Sequence, residues 1–65
     1  MKILLRIVIK QRQLSIRQVA IKTGIPKSTV ERIVLGEISP TMHQMERLAA
    51  GLHMRISDLY RSRYQ

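Results

Sequence analysis

The sequence contains no cysteine, which excludes disulfide bridges and thiolate metal sites. It contains no Trp or Phe and only two Tyr, so its core must be built from Leu, Ile, Val, Met and Ala. That composition favours small packed helices over a β-sandwich or barrel. At 65 residues the chain has room for one domain, residues 1–65. A domain of this size buries only about 60% of the surface that its unfolded chain exposes, so it depends on efficient helix packing or on a partner chain.

Long apolar runs are absent as well. No stretch approaches the roughly 20 apolar residues that a membrane-spanning helix requires. The opening segment MKILLRIVIK has the apolar character of a signal peptide, but Arg6 interrupts it and no small-residue cleavage site follows. We therefore expect a soluble, cytoplasmic chain without a membrane partner.

Residues suited to catalysis or cofactor binding are scarce. The sequence has no glycine-rich phosphate loop, no paired carboxylates and no nucleophile next to a base. His43 and Glu46 share a predicted helical face, but the other histidine, His53, lies about three helical turns away. We interpret all three as ordinary polar residues and predict no enzymatic activity, no cofactor and no metal site.

Acidic residues are also few, with 4 Asp and Glu against 12 Lys and Arg, for a formal net charge of +8. The excess is uneven, because residues 1–32 carry eight basic side chains against Glu31 alone, whereas residues 33–65 carry four against three acidic ones. A polyanion should therefore contact the N-terminal half of the chain. Isolated basic residues also suit an ordinary solvated surface, so a motif is needed to decide between the two interpretations.

Residues 2–12 are apolar and rich in β-branched side chains, and their length fits either a buried strand or a helix. A helix is favoured because four apolar residues have the i, i+3, i+4, i+7 spacing of a core-facing stripe: Met1, Leu4, Leu5 and Val8. Ile3 and Ile7 lie on a second line, which is either the edge of a wide apolar stripe or a ridge that faces a partner.

A second helix is predicted to begin after Ser15. Ser15 has the residue type of an N-cap, and Gln18 three positions later completes a capping box. Val19 and Ala20 continue the helical spacing, and Gly24 supplies the left-handed residue that ends the helix. The segment has room for only about two turns.

A third helix is predicted over residues 26–35, because Pro26 is favoured in a first helical turn and Gly36 stops the helix. Val30, Ile33 and Val34 face inward in this helix. The opposite side carries Lys27, Ser28, Glu31 and Arg32. The small side chains near its start let this helix approach a phosphate or a base edge.

Two further helices complete the predicted fold. Thr41 and Gln44 form a second capping box, after which an inward face is predicted for Met42, Met45, Leu48, Ala49 and Leu52. Gly51 interrupts that helix and indicates close packing against a neighbour. One more short helix is predicted from the spacing of Met54, Ile56, Leu59 and Tyr60, with fraying over residues 61–65.

Taken together, these positions resemble the lambda-repressor-like helix-turn-helix family, the Cro and phage-repressor type that is also called the xenobiotic response element type. The resemblance spans nearly the whole chain and depends on the joint spacing of Leu14, Ser15, Val19, Ala20, Gly24, Ile25, Ser28, Thr29, Val30, Ile33, Gly36, Pro40, Met45, Leu48, Ala49 and Leu52. It implies an all-α, compact five-helix domain in which the second and third helices form the helix-turn-helix.

The resemblance also implies a set of binding residues. The third helix would be the recognition helix, with Lys27, Ser28 and Arg32 reading bases in double-stranded DNA. Contacts to the DNA backbone or to a thymine methyl group are implied for Ser15, Ile16, Arg17, Thr29, Ile38 and Ser39. A homodimer surface is expected near the C-terminus, at Met54, Ile56, Leu59, Tyr60 and Tyr64, with Ile3 and Ile7 as the alternative.

Several positions depart from the family pattern. Many relatives pair an Arg in the first helix with a Glu late in the third, and here those positions hold Ile9 and Val34. Because a buried ion pair can be replaced by packed apolar side chains without loss of stability, we predict that Ile9 contacts Val34. Gln13 stands where the family often has a left-handed Gly, Ile16 replaces a frequent polar phosphate contact, and Leu35 replaces a residue that is usually polar.

The function that these features predict is that of a sequence-specific DNA-binding transcriptional regulator of prokaryotic or phage type, acting as a homodimer on an operator. The alternative is a protein-interaction module, such as a DNA-binding antitoxin or an antagonist of another regulator that binds through Ile3, Ile7 and Leu35. The basic residues of the third helix suit DNA better than a protein partner.

Overall fold

The computed structural model describes residues 1–64 and has helices at its centre and a short strand near each end of the chain. The elements in chain order are strand β1 (Lys2–Ile3), helices α1 (Leu5–Arg12), α2 (Ile16–Thr23), α3 (Lys27–Val34) and α4 (Met42–Leu52), a 3-10 helix (Ile56–Asp58) and strand β2 (Tyr60–Arg61). The prediction of an all-α fold with five helices is therefore wrong in part. Four α-helices are present among these residues, and the predicted fifth is a single 3-10 turn.

The two strands pair with each other at the start and end of the described chain. They are antiparallel, with Lys2 opposite Arg61 and Ile3 opposite Tyr60. The backbone N–H of Leu4 donates to the carbonyl of Leu59 at 2.8 Å, which extends the contact between the two segments. The first helix consequently begins at Leu5 and not at residue 2.

Helices α2 and α4 begin at the two predicted capping boxes, and both boxes are confirmed. The Ser15 hydroxyl accepts from the Gln18 N–H at 3.0 Å, while the Ser15 N–H donates to Gln18 Oε1 at 2.7 Å. Thr41 and Gln44 repeat the arrangement at 3.1 and 2.9 Å. Each box provides side-chain acceptors for two backbone N–H groups at the helix start, which would otherwise have to bind water.

Three of the helices end in a Schellman motif, which has a left-handed residue just after the helix and two backbone hydrogen bonds across the last turn. Gly36 has this conformation after α3, with φ of 78°. Gln13 after α1 and His53 after α4 adopt it with φ of 55° although neither is glycine. The left-handed turn predicted at Gln13 is thus confirmed, whereas that at His53 was not foreseen.

The core lies between the helices and is closed by the 3-10 segment. Its members are Leu5, Val8, Val19, Ile25, Val30, Ile33, Met45, Leu48, Ala49, Leu52 and Leu59. The predicted inward positions of α4 are confirmed except for Met42, which is 68% exposed because it lies in the first turn. Met1 is likewise exposed, so its inclusion in the predicted core stripe is wrong.

Helices α2 and α4 pack closely at Gly51. A Cβ atom built on Gly51 would lie 2.5 Å from the carbonyl oxygen of Lys22 and 2.9 Å from Cγ2 of Thr23. The close packing predicted for Gly51 is therefore confirmed. At the same end of the domain, Nη1 of Arg12 donates a hydrogen bond to the carbonyl of Leu52, which connects the end of α1 to the end of α4.

Ile9 and Val34 are both half-buried against the core, on two helices that contact each other. Their direct contact stays a prediction. Neither side chain carries a charge into this position, so no buried ion there requires a partner.

Candidate nucleic-acid interface

The turn between α2 and α3 is held by the buried side chain of Thr23. Its Oγ1 donates to the carbonyl of Val19 at 2.7 Å and accepts from the Ile25 N–H at 3.3 Å. Gly24 follows with φ of 74°, and its N–H donates to the Ala20 carbonyl at 2.9 Å. Because the backbone on both sides of Gly24 is hydrogen-bonded, the direction in which α3 leaves the turn is well defined. This role of Thr23 was not predicted from the sequence.

Helix α3 divides into a buried side and an exposed side. Val30 and Ile33 are buried, and Thr29 and Val34 are half-buried beside them. The remaining four side chains are exposed and lie on one arc of the helix: Lys27, Ser28, Glu31 and Arg32. The three predicted base-reading residues are therefore brought together on one accessible face. Thr29 lies at the edge of that face.

Arg32 forms an ion pair with Glu37, a residue that the sequence interpretation left out of the site. Nε of Arg32 lies 3.7 Å from Oε1 of Glu37, and the two side chains are 57% and 56% exposed. Glu37 occupies the position after the left-handed Gly36, where a Schellman motif returns the chain onto the last turn of the helix. The glycine after α3 was the available signal, because it places the next residue beside Arg32.

The start of α2 presents a different set of groups. The Ser15 hydroxyl is already used by the capping box, and the Ile16 side chain packs partly into the core. Arg17 is exposed. The groups that remain for an anion are therefore the backbone N–H groups of Ile16 and Arg17, which have no acceptor within the helix, and the Arg17 guanidinium.

The loop between α3 and α4 contains the last two predicted backbone contacts. Ile38 is half-buried and packs against the core, whereas Ser39 is exposed. Leu35, at the start of this loop, is 61% exposed. Of the two predicted contact residues, only Ser39 offers its side chain to a ligand without unpacking the domain.

An apolar groove lies between the α4 start and the C-terminal segment. It has a volume of about 360 Å³ and is lined by Met1, Pro40, Met42, Met45, Ile56, Tyr60, Ser62 and Tyr64. Met1, Met42 and Tyr64 expose most of their surface beside it. We call this surface the C-terminal groove. It contains three of the five residues predicted for a dimer surface.

One of those five predictions is wrong. Leu59 has no exposed surface, because it packs inside the chain's own core beneath the paired strands. In this conformation it cannot contact a second subunit. Met54 is half-buried against the same core and contributes little surface.

The part of the chain that the structure describes contains neither a metal-binding group nor a helix that could span a membrane. Residues 1–64 contain no group of three or more His, Cys, Asp or Glu side chains that could hold a metal ion. His43 accepts a hydrogen bond at Nε2 from Nε of Arg47 at 3.1 Å. None of the helices within these residues has the length and apolar character needed to cross a membrane.

Comparison with known proteins identifies the arrangement. The family model described as the Cro/C1-type HTH DNA-binding domain matches residues 4–62, which include all four helices and both capping boxes. No curated protein and no solved structure matches the chain.

Proposed function

We propose that this chain, which belongs to the Cro/C1-type family of helix-turn-helix DNA-binding domains, is a sequence-specific transcriptional regulator of prokaryotic or phage type. In this proposal α3 enters the major groove of an operator and the regulator acts in the cytoplasm. The observation that carries it is the exposed face of α3. Lys27, Ser28 and Arg32 stand there on a helix whose other side is anchored in the core by Val30 and Ile33.

In this proposal one set of residues reads the bases and another set contacts the DNA backbone. Arg32 presents a planar guanidinium that can donate two hydrogen bonds to guanine, and Lys27 and Ser28 flank it. Arg17 and the first N–H groups of α2 are suited to a phosphate, because a helix N-terminus attracts anions. In this proposal the half-buried Thr29 and the exposed Ser39 contact the DNA backbone or a thymine methyl group.

The experiment that tests this division begins with selection of a preferred site from random DNA, followed by fluorescence-anisotropy titrations at two salt concentrations. Replacing Arg32 with Ala should relax the preference at one base position by about 1–3 kcal/mol. Replacing Arg17 with Ala should weaken binding to all DNA sequences by the same factor. It should also reduce the slope of log affinity against log salt concentration by about one. If both variants change affinity in the same way, the assignment of the two roles is wrong, and an absence of binding at low salt would remove the proposal.

A homodimer is part of the same proposal. One module of this kind buries about 600–1,000 Å² on DNA, which is modest for a unique site, so two half-sites about 34 Å apart are expected. The C-terminal groove supports this assembly because its lining is mostly apolar and Met1, Met42 and Tyr64 are exposed there. Burial of such apolar surface between two chains would favour their association.

The alternative function is that of a protein-interaction module, such as a DNA-binding antitoxin or an antagonist of another regulator. It is favoured by the exposure of Ile7 and Leu35, at 44% and 61%, with the half-buried Ile3 on β1. An antagonist does not require Lys27 and Arg32 on the free face of α3, whereas a DNA-binding antitoxin would use them. The anisotropy titration separates the regulator from an antagonist without DNA affinity, which would show no binding at low salt.

A further inference from the structure

We propose that Glu37 is a positioning residue for Arg32, and that it increases the discrimination of the protein between correct and incorrect operators. This inference rests on the proposed function, in which Arg32 reads a base. It concerns a residue that the sequence interpretation did not assign to the site. The evidence is the geometry at the end of α3 and the chemistry of the two side chains.

The backbone places Glu37 beside Arg32. The Glu37 N–H donates to the carbonyl of Arg32 at 2.9 Å, and the Gly36 N–H donates to the carbonyl of Ile33 at 3.1 Å. These are the two hydrogen bonds of a Schellman motif, and Gly36 has the left-handed conformation that the motif requires. The way in which α3 ends therefore fixes the backbone of Glu37 next to that of Arg32, and the two side chains meet from there.

The atoms of the ion pair matter for base reading. The contact joins Nε of Arg32 to Oε1 of Glu37 at 3.7 Å. At this distance the contact is an ion pair and not a hydrogen bond, and it lies on the Nε side of the guanidinium. Both terminal amino groups, Nη1 and Nη2, therefore stay available for the O6 and N7 atoms of guanine. Glu37 thus restricts the rotation of the arginine while it leaves the groups that recognise a base. An arginine oriented in advance loses less conformational entropy when it binds.

The carboxylate also affects incorrect sequences. Without a guanine at the right position, a flexible arginine would turn to the nearest phosphate and recover part of its binding energy. Glu37 opposes this in two ways, because its negative charge repels the phosphate and because it keeps Arg32 from turning away. In free solution an exposed ion pair of this kind is weak. On DNA the pair is partly shielded from water, and the interaction becomes stronger.

The test uses the full chain and compares a selected operator with the same operator in which the guanine read by Arg32 is replaced. Discrimination is measured as the Kd for the substituted operator divided by the Kd for the selected operator. Glu37→Gln removes the charge and keeps the shape of the side chain. Glu46→Gln is the matched control, because Glu46 is also exposed and lies on α4 away from the Schellman motif.

The control variant should tighten binding to both DNAs by the same factor, as expected for one fewer negative charge. Glu37→Gln should lower the Kd ratio about 3- to 10-fold, mainly by tightening the substituted operator. In an Arg32→Ala background, Glu37→Gln should leave the ratio unchanged, because the residue acts through Arg32. Thermal unfolding by circular dichroism should be close to that of the unmodified chain for both single variants.

Two results would overturn the inference. The first is a Glu37→Gln variant whose ratio is as high as that of the Glu46→Gln control. The second is an equal loss of discrimination with and without Arg32, which would mean that Glu37 acts on DNA by itself. Either result is compatible with the proposed function. An unmodified chain with no sequence preference at all would instead contradict the proposed function, and the role of Glu37 with it.

Discussion

Among residues 1–64, two residues hold a left-handed backbone without being glycine. Gln13 and His53 each end a helix with φ of 55°, and in each case the residue's own N–H and the N–H of the next residue are hydrogen-bonded to carbonyls of the last turn. The left-handed region brings Cβ of an L-residue close to the following carbonyl, which costs about 1–2 kcal/mol. The domain tolerates this cost because the Schellman motif satisfies carbonyl groups that would otherwise be left unpaired.

Gln13→Gly should therefore stabilise the protein. The change relieves the steric cost at φ of 55°, and the greater entropy of an unfolded glycine offsets part of the gain, which leaves about 0.5–1 kcal/mol in the free energy of unfolding. Urea denaturation followed by circular dichroism measures it. Gln11→Gly is the matched control, because Gln11 is exposed inside α1 and should lose about 1 kcal/mol. Equal losses at both positions would show that Gln13 is not under strain.

At the scale of the elements, a feature was predictable from the sequence when the residues that determine it are close together in the chain. The starts of α2 and α4 depend on Ser15 with Gln18 and on Thr41 with Gln44, pairs that are three residues apart, so local sequence was sufficient. The turn at Gly24 was predictable for the same reason. The division of α3 into two sides follows from helical periodicity alone.

The strands were not predictable in this way. Lys2 and Ile3 pair with Arg61 and Tyr60 from the other end of the chain, and no local pattern specifies that register. The apolar spacing of residues 2–12 suits a helix, and tertiary pairing overrides it at the first residues. The burial of Leu59 has the same origin, because only the paired strands show that this leucine lies inside the domain. The assignment of Leu59 to a dimer surface, which followed from the family resemblance, was therefore wrong.

The crossing of α2 and α4 yields a prediction at the scale of the elements. Gly51→Ala adds a methyl group that would lie 2.5 Å from a backbone carbonyl, an atom that moves only if α2 moves. Overpacking of this kind costs about 1–3 kcal/mol, while the higher helix propensity of Ala returns about 1 kcal/mol. We expect a net loss of up to about 2 kcal/mol in the free energy of unfolding, measured by urea denaturation.

The control for this variant is Ala50→Gly, one position earlier on the exposed side of α4. It should lose about 1 kcal/mol through propensity alone and leave DNA affinity unchanged. Gly51→Ala should also weaken DNA binding, because α2 carries Arg17 and the turn that aims α3. A Gly51→Ala protein that is more stable than the unmodified chain would show that α2 and α4 can move apart at Gly51 at little cost in free energy.

At the scale of the whole molecule, the exposed face of α3 and the C-terminal groove are separate surfaces that share no residue. The face of α3 carries Lys27 and Arg32. The side chains that line the groove are uncharged, and Lys2, Arg61 and Arg63 adjoin it. In the proposed dimer these like charges oppose the association, so burial of the apolar lining must outweigh them.

The proposed dimer can be tested without DNA by replacing Met42 with Glu. Met42 is 68% exposed in the first turn of α4, where an acidic residue is favourable for the helix, so the fold should be retained. Two symmetry-related carboxylates in an apolar contact would oppose dimerisation, and sedimentation over a concentration series should show a shift toward monomer of at least about tenfold in Kd. The unmodified chain should bind an operator with two half-sites more tightly than DNA with a single half-site, and the variant should lose this difference in affinity.

The matched control is Ile21→Glu, which makes the same charge change at a 75% exposed apolar residue on α2 that does not line the groove. It should dimerise like the unmodified chain in the absence of DNA. If Ile21→Glu is the variant that becomes monomeric, the subunits associate through the exposed side of α2. The two recognition helices would then have to reach successive major grooves from a different arrangement, because half-site spacing follows from the surface on which the dimer forms.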